Sequence, residues 1–188
     1  MAKRQLGSNP WLFPMPLVLV GAMVKGRPNF MPAAFVGIAN FKPAMLGCGL
    51  NIAHATSNAI EERKAFSVCI PAESSMVKAD YCGMTTGAKE DKSKVFKVFY
   101  GKTKDAPLVD ECPVCIECTL HKAIPLGLDT LYIGNIIEIH CDETVMTDGQ
   151  PDILKIKPFT FTFPDKGYYS IGKRIGTGWS SGRMYKPE

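Results

Sequence analysis

The sequence lacks any apolar run of the roughly 18 to 20 residues that a membrane-spanning helix needs. Its most apolar stretch, Pro16 to Val24, is about half that length. Lys3-Arg4 ahead of it would suit a secretion signal. However, Pro14 and Pro16 interrupt the approach, and Lys25-Gly26-Arg27 stands where a small-residue cleavage site belongs. The stretch is therefore expected to be a buried strand in a cytoplasmic protein with no membrane partner. There is also no block of five or more basic residues: 22 Lys and Arg against 18 Asp and Glu give a net charge of +4, scattered along the chain. Charge alone thus implies no nucleic-acid partner.

Common chemical signatures are missing too. No Gly-x-Gly-x-x-Gly follows a strand and no Walker sequence occurs, which excludes the usual dinucleotide and P-loop sites. The only histidines are His54, His121 and His140, none beside a Ser or Cys in a nucleophile motif, so a hydrolytic triad is not expected. Cys112-x2-Cys115-x2-Cys118 resembles part of an iron-sulfur or zinc set, but the fourth cysteine and following proline of the ferredoxin pattern are absent. On a strand, Cys115 and Cys118 would point to opposite faces. No metal is expected. Seven cysteines are an odd count in a chain that needs no staples for its size, which favours reduced thiols.

Long helical periodicity is scarce, while 14 Pro and 17 Gly keep elements short. With 188 residues, 46% of them hydrophobic, the chain can bury one sizeable core, so a single mainly β domain over 1–188 is expected. Residues 1–16 lead in across its surface. Strands are expected over Leu17–Val24, about Ala33–Ala39, Met45–Leu50, Phe66–Ile70 with period two, Val114–His121, Leu131–His140 and Phe159–Phe163. Short helices are expected over about Ala59–Arg63 and Glu73–Tyr81, then a bend over Cys82–Gly87 and a charged, solvated helix start over Lys89–Lys94. Gly101–Cys112 is a loop, Thr144–Asp152 a polar insertion with a turn at Asp148-Gly149, and the tail from Gly176 is mobile or packed on a partner. Seven short strands at this spacing suggest an antiparallel barrel.

The stretch Asn29 to Asn58 stands out. Met31-Pro32-Ala33-Ala34, with Gly37, Ala39, Gly47 and Gly49 around the Lys42-Pro43 turn, lets a flat group approach the backbone closely. Asn58 with Glu61 fits a capping box, which would leave the first helix amides near Thr56 and Ser57, where a phosphate could bind. The same pattern also describes an ordinary strand, turn and capped helix.

Taken in order, Pro28-Asn29-Phe30-Met31-Pro32-Ala33-Ala34, Lys42-Pro43, Thr56-Ser57-Asn58-Ala59-Ile60, Phe66-Ser67-Val68-Cys69-Ile70-Pro71, Ala79-Asp80-Tyr81-Cys82-Gly83, Glu90-Asp91-Lys92, Ile116-Glu117-Cys118 and Leu126 to Gly134 resemble the flavin reductase-like family, most of all its flavoredoxin branch. The resemblance spans roughly Pro14 to Gly172. It implies an antiparallel split β-barrel with a few short helices, a homodimer, and FMN bound without a covalent bond near the subunit interface. The cofactor-binding residues it implies are Asn29, Met31, Pro32, Ala33, Ala34, Asn51, His54, Thr56, Ser57, Asn58, Cys82 and Lys92. Met31 to Ala34 would lie against the isoalloxazine, and Asn51 to Asn58 with Lys92 would serve the ribityl chain and phosphate. The implied activity is electron transfer of the flavoredoxin type, with an NAD(P)H:flavin oxidoreductase and a non-catalytic flavin-binding protein as alternatives, and NAD(P)H or a redox protein as donor. The chain departs from the family where His is frequent, carrying Asp129 instead, which puts nicotinamide use in doubt.

Overall fold

A computed structural model describes residues 1–187. In chain order the strands are β1 (Met15–Pro16), β2 (Val18–Val24), β3 (Arg27–Ala33), β4 (Val36–Asn40) and β5 (Met45–Asn51), then helix α1 (Ala55–Arg63), β6 (Ala65–Ile70) and α2 (Met76–Met84). There follow β7 (Val98–Phe99), β8 (Leu108–Val109), β9 (Val114–Pro125), β10 (Asp129–Cys141), β11 (Met146–Thr147), β12 (Gln150–Pro151), α3 (Ile153–Ile156), β13 (Phe159–Thr162) and β14 (Gly167–Ser170). The fold is mainly β and antiparallel, as expected. Seven strands pair in the order β3-β2-β6-β9-β10-β5-β4, and β1-β13-β14 form a small second sheet. Among the described residues, no helix is long and apolar enough to cross a membrane.

The large sheet curls. Ala33 on one edge strand meets Leu46, Cys48 and Leu50, next to the other edge, in one core with Val18, Val20, Phe66 and Ile60. A flat sheet could not bring those strands together. The opposite side of β2, β3, β6 and β9 feeds a second core, where Leu19, Phe30, Cys69 and Cys115 pack against Ala79 and Cys82 of α2 and Phe159 of the small sheet. β6 is therefore buried on both faces, and the expected period-two alternation does not show as exposure. Cys115 and Cys118 do fall on opposite sides, in separate cores. Gly21, in the middle of β2, leaves no room for a Cβ, which would collide with the Ser67 hydroxyl and lie 2.6 Å from the Pro107 carbonyl and 2.8 Å from the Phe30 ring.

Three of the boundaries that shape the site differ from the sequence expectation. The second strand begins at Arg27 rather than near Ala33, because Lys25-Gly26, both at positive φ, close a two-residue hairpin. Pro28 and Pro32 argue against a central strand, yet β3 is an edge, where a missing amide costs no ladder bond. Residues Cys82 to Met84 belong to α2 rather than to a bend. Finally, α1 starts at Ala55, four residues earlier than expected, with His54 as its extended N-cap, so Asn58 lies inside the helix and does not cap it. The Asp148-Gly149 turn is as expected, both residues at positive φ between β11 and β12.

The long loop after β7 is fastened by a buried carboxylate. Glu117 on β9 accepts the amides of Lys102 at 2.9 Å and Thr103 at 2.6 Å, which neutral backbone dipoles and a fixed geometry make tolerable in the interior.

Candidate functional site

Where β3, the end of β5, the start of α1 and the end of α2 converge, two lobes of one cleft share Met31, Pro32 and His54. The polar lobe, about 260 Å³, is lined by Asn29, Thr56, Cys82, Gly83, Thr86, Gly87 and Lys92 in addition to the shared residues. The apolar lobe, about 320 Å³, is walled by Ala33, Ala34 and Phe35, by Gly49 to Asn51, by Asp129, and by Phe161, Phe163 and Tyr168 of the small-sheet region.

Each wall follows from local chemistry. The chain leaving β5 folds on itself: the Asn51 side-chain oxygen accepts the Ala53 amide at 2.9 Å, and the Asn51 carbonyl accepts the His54 amide at 3.1 Å and the Ser57 hydroxyl at 2.8 Å. This turn launches α1 with Ala55 and Thr56 against the polar lobe, and the first amides of a helix have no intrahelical acceptor. Asn29, on β3, donates from Nδ2 to Thr56 Oγ1 at 2.8 Å, which leaves the threonine O–H free to donate. Its Oδ1 is buried and accepts from no donor among the described residues.

Lys92 is not the solvated lysine that its charged neighbours suggest. It is 4% exposed, and its Nζ donates to the Cys82 carbonyl at 2.6 Å and the Phe30 carbonyl at 3.3 Å. An ammonium has three N–H groups, so one remains for a ligand. Burial lowers the Lys92 pKa from its usual value. Cys82 contributes its carbonyl; burial pushes its thiol up, so the sulfur stays neutral. Close approach shapes the floor, because a Cβ on Gly83 would lie 2.8 Å from the Pro32 ring and one on Gly87 would collide with the Asn29 amide.

Ten of the twelve anticipated residues line the two lobes. Ser57 is buried beneath the turn, and Asn58 is exposed on α1 outside both linings. Gly49 joins the apolar lobe, whereas Gly37, Ala39 and Gly47 line a separate apolar groove. Sequence reasoning missed Phe161, Phe163, Tyr168 and the Gly83 to Gly87 wall. The Phe-Thr-Phe-Thr-Phe alternation was the available signal, but only the small sheet shows which lobe it borders.

These features make a cleft for an elongated ligand, flat and apolar at one end, hydroxylated in the middle and anionic at the other. Residues 11–171 match the flavin reductase like domain, and the chain belongs to that family. Within it, the chain is similar to the flavoredoxin of Methanosarcina acetivorans, at 37% identity and a TM-score of 0.95, with 97% of this chain and 98% of that one covered. It is also similar to the flavoredoxin of Desulfovibrio vulgaris (Miyazaki F), at 36% identity and a TM-score of 0.90, covering 96% and 100%. An uncharacterized protein of Archaeoglobus fulgidus is 30% identical over 146 residues, 76% of this chain and 81% of that protein.

Tyr168, on the apolar lobe, donates to Asp80 Oδ1 at 2.6 Å, and burial followed by that carboxylate raises its pKa to about 12. Burial and Glu61 raise Tyr132, beneath α1, to about 12 as well. A folded-state pKa above the unfolded value means stability that is fully present below the unfolded value, about 10 for tyrosine, and lost as pH rises toward 12. Absorbance at 295 nm should show these two tyrosines ionising later than an unperturbed tyrosine, with melting temperature falling between about pH 10 and 12. Tyr168→Phe should remove one late-titrating group; an unchanged titration curve would contradict the Tyr168–Asp80 pairing.

Proposed function

We infer that the chain binds FMN in this cleft and passes electrons between a reduced donor and a redox partner, as a flavoredoxin-type flavoprotein. The observation that carries this reading is the Lys92 ammonium, buried among carbonyls with one N–H left over. A phosphate dianion beside it would supply the missing counter-charge, with the Thr56 hydroxyl and the first amides of α1 as further donors. The buried Asn29 Oδ1, without a donor of its own, suits a ribityl hydroxyl. Gly83 and Gly87 let the end of α2 and the loop after it close on Pro32 and Asn29, which fixes the floor beneath the ligand. In the other lobe, the backbone of Met31 to Ala34 lies alongside the space for the ring, and Phe161, Phe163 and Tyr168 close its far side. Bound FMN supplies the electron-transfer chemistry; the protein orients it and limits water.

The reading extends to the whole chain. One domain spans 1–188, and seven free thiols suit a reducing, cytoplasmic setting. A homodimer completes the site: β4 is an edge strand exposed along most of its length, and an apolar groove of about 610 Å³ shares Ala34 and Phe35 with the flavin lobe. A second copy over that groove would cover the open edge of the ring.

Lys92→Met keeps the aliphatic stem and removes the charge. Hydrogen bonds to charged groups contribute about 1.5 to 3 kcal/mol, so FMN affinity measured by flavin fluorescence titration should fall at least tenfold. Undiminished affinity would remove Lys92 from the phosphate site.

Asp129 opens β10 opposite Asn51, on the wall of the flavin lobe. A carboxylate there opposes the phosphates of an incoming pyridine nucleotide; at about 4 Å and an effective dielectric near 20 such a pair is of order 4 kcal/mol before screening, and a quarter of that already costs several-fold in affinity. Stopped-flow reduction of the FMN-loaded protein should be slow with NADPH, faster with a small redox protein, and faster with NADPH in Asp129→His. Rapid wild-type reduction at low-micromolar NADPH, slowed by the histidine, would favour an NAD(P)H:flavin oxidoreductase.

A further inference from the structure

The segment 173–187 leaves the body after β14 and touches none of it by hydrogen bond. Its bonds run within itself, from Arg174 to Gly176 and Thr177, from Thr177 to Ser181, and through the short turn at Ser181–Met184. Every residue in it is exposed. Yet it carries Ile175, Trp179, Met184 and Tyr185, each more than three-quarters exposed and none of them buried against the other described residues. Scattered apolar side chains on a surface need no explanation, but a fifteen-residue segment that presents four large ones and packs against nothing does.

The match to the Methanosarcina acetivorans flavoredoxin covers 97% of the chain at a TM-score of 0.95. The 3% left over is too short to contain 173–187, so most of the segment lies within the span that the two chains share.

The same chain offers a surface of matching chemistry. The groove over β4, β5 and β10 is apolar, about 610 Å³, and bounded by Trp11, Leu12, Phe35, Ile38, Leu131 and Ile133. The leading segment joins the two features: Pro10 to Leu12 wall the groove, while Phe13 and Pro14 line a neighbouring cleft together with Ile171 and Gly172, where the segment departs. The root of the arm thus stands beside the groove, and a two-fold axis near the leading segment would bring each arm to the other copy's groove.

We propose that residues 173–187 form an exchanged arm that lies, in the homodimer, in the apolar groove of the second copy. In an isologous pair, each copy then covers the apolar surface that the other leaves open. The partner's arm would sit at the groove's shared boundary with the flavin lobe, at Ala34 and Phe35. This rests on the dimer in the functional reading above, and the test separates the two.

The test uses full-length protein carrying Trp179→p-benzoylphenylalanine, prepared as a mixture of ordinary and nitrogen-15 chains, irradiated and mapped by mass spectrometry, with light scattering on the same sample. The expected result is a dimer of twice the 20.6 kDa chain mass. Cross-links should join light to heavy chains and fall on the peptides holding Phe35 to Asn40 or Leu131 to Ile133. A chain truncated after Gly172 should keep its melting temperature at high concentration and dissociate at a concentration at least tenfold higher. A monomer would overturn both dimer and arm. A dimer whose cross-links are absent, run only within one chain or fall elsewhere, or whose dissociation is unmoved by truncation, would overturn the arm alone.

Discussion

A buried ammonium with carbonyl oxygens around it is the constraint on which the site depends. Removing such a charge from water costs several kcal/mol even after relaxation, and the Phe30 and Cys82 carbonyls offset only part of that cost. They do so by holding three elements in place at once, because Phe30 belongs to β3, Cys82 to α2 and Lys92 to the turn that follows. The second core reinforces the arrangement, with Phe30 and Cys82 both packed into it. The cation is therefore fixed before any ligand arrives. It stands between the polar lobe and a neighbouring cleft in which Arg27 pairs with Asp91 at 3.3 Å, so Lys92 is the cation that faces the polar lobe.

The rest of the cleft follows from the curl of the large sheet. Because β3 and β5 approach each other around the first core, Met31 to Ala34 and Leu50 to Asn51 come to line one apolar lobe, closed at one end where the Phe35 carbonyl accepts the Gly49 amide at 2.8 Å. The small sheet then adds aromatic rings on the remaining side, where Phe161 meets Phe163 edge-on at 4.9 Å and Tyr168 at 5.7 Å. An apolar slot leading to a polar end with a fixed cation is an asymmetric container, and that asymmetry orients a ligand with one flat end and one charged end.

Much of this was legible in the residues, for reasons that differ by element. β2 was plain because a continuous apolar run bounded by turn residues has few other solutions when buried on both faces. β3 was obscured by Pro28 and Pro32, which speak against a strand unless it is known to be an edge. The start of α1 was misplaced because Asn58 and Glu61 make a plausible box, whereas the structure starts the helix after a self-bonded turn at Asn51 that has no sequence signature of its own. The burial of Lys92 could not be read locally, since its neighbours are charged and exposed; only the resemblance singled it out. The aromatic wall could be read as a strand but not placed, because the alternating run from Phe159 lies more than a hundred residues along the chain from β3 and β5.

The central claim is that this cleft holds FMN with its phosphate at Lys92. The most direct measurement is the absorbance spectrum of the purified protein together with the mass of the ligand released on denaturation. The account predicts flavin bands near 370 and 450 nm and a released mass equal to that of FMN, at about one per chain. A colourless protein that takes up no FMN on reconstitution, or one that releases a different ligand, would contradict it.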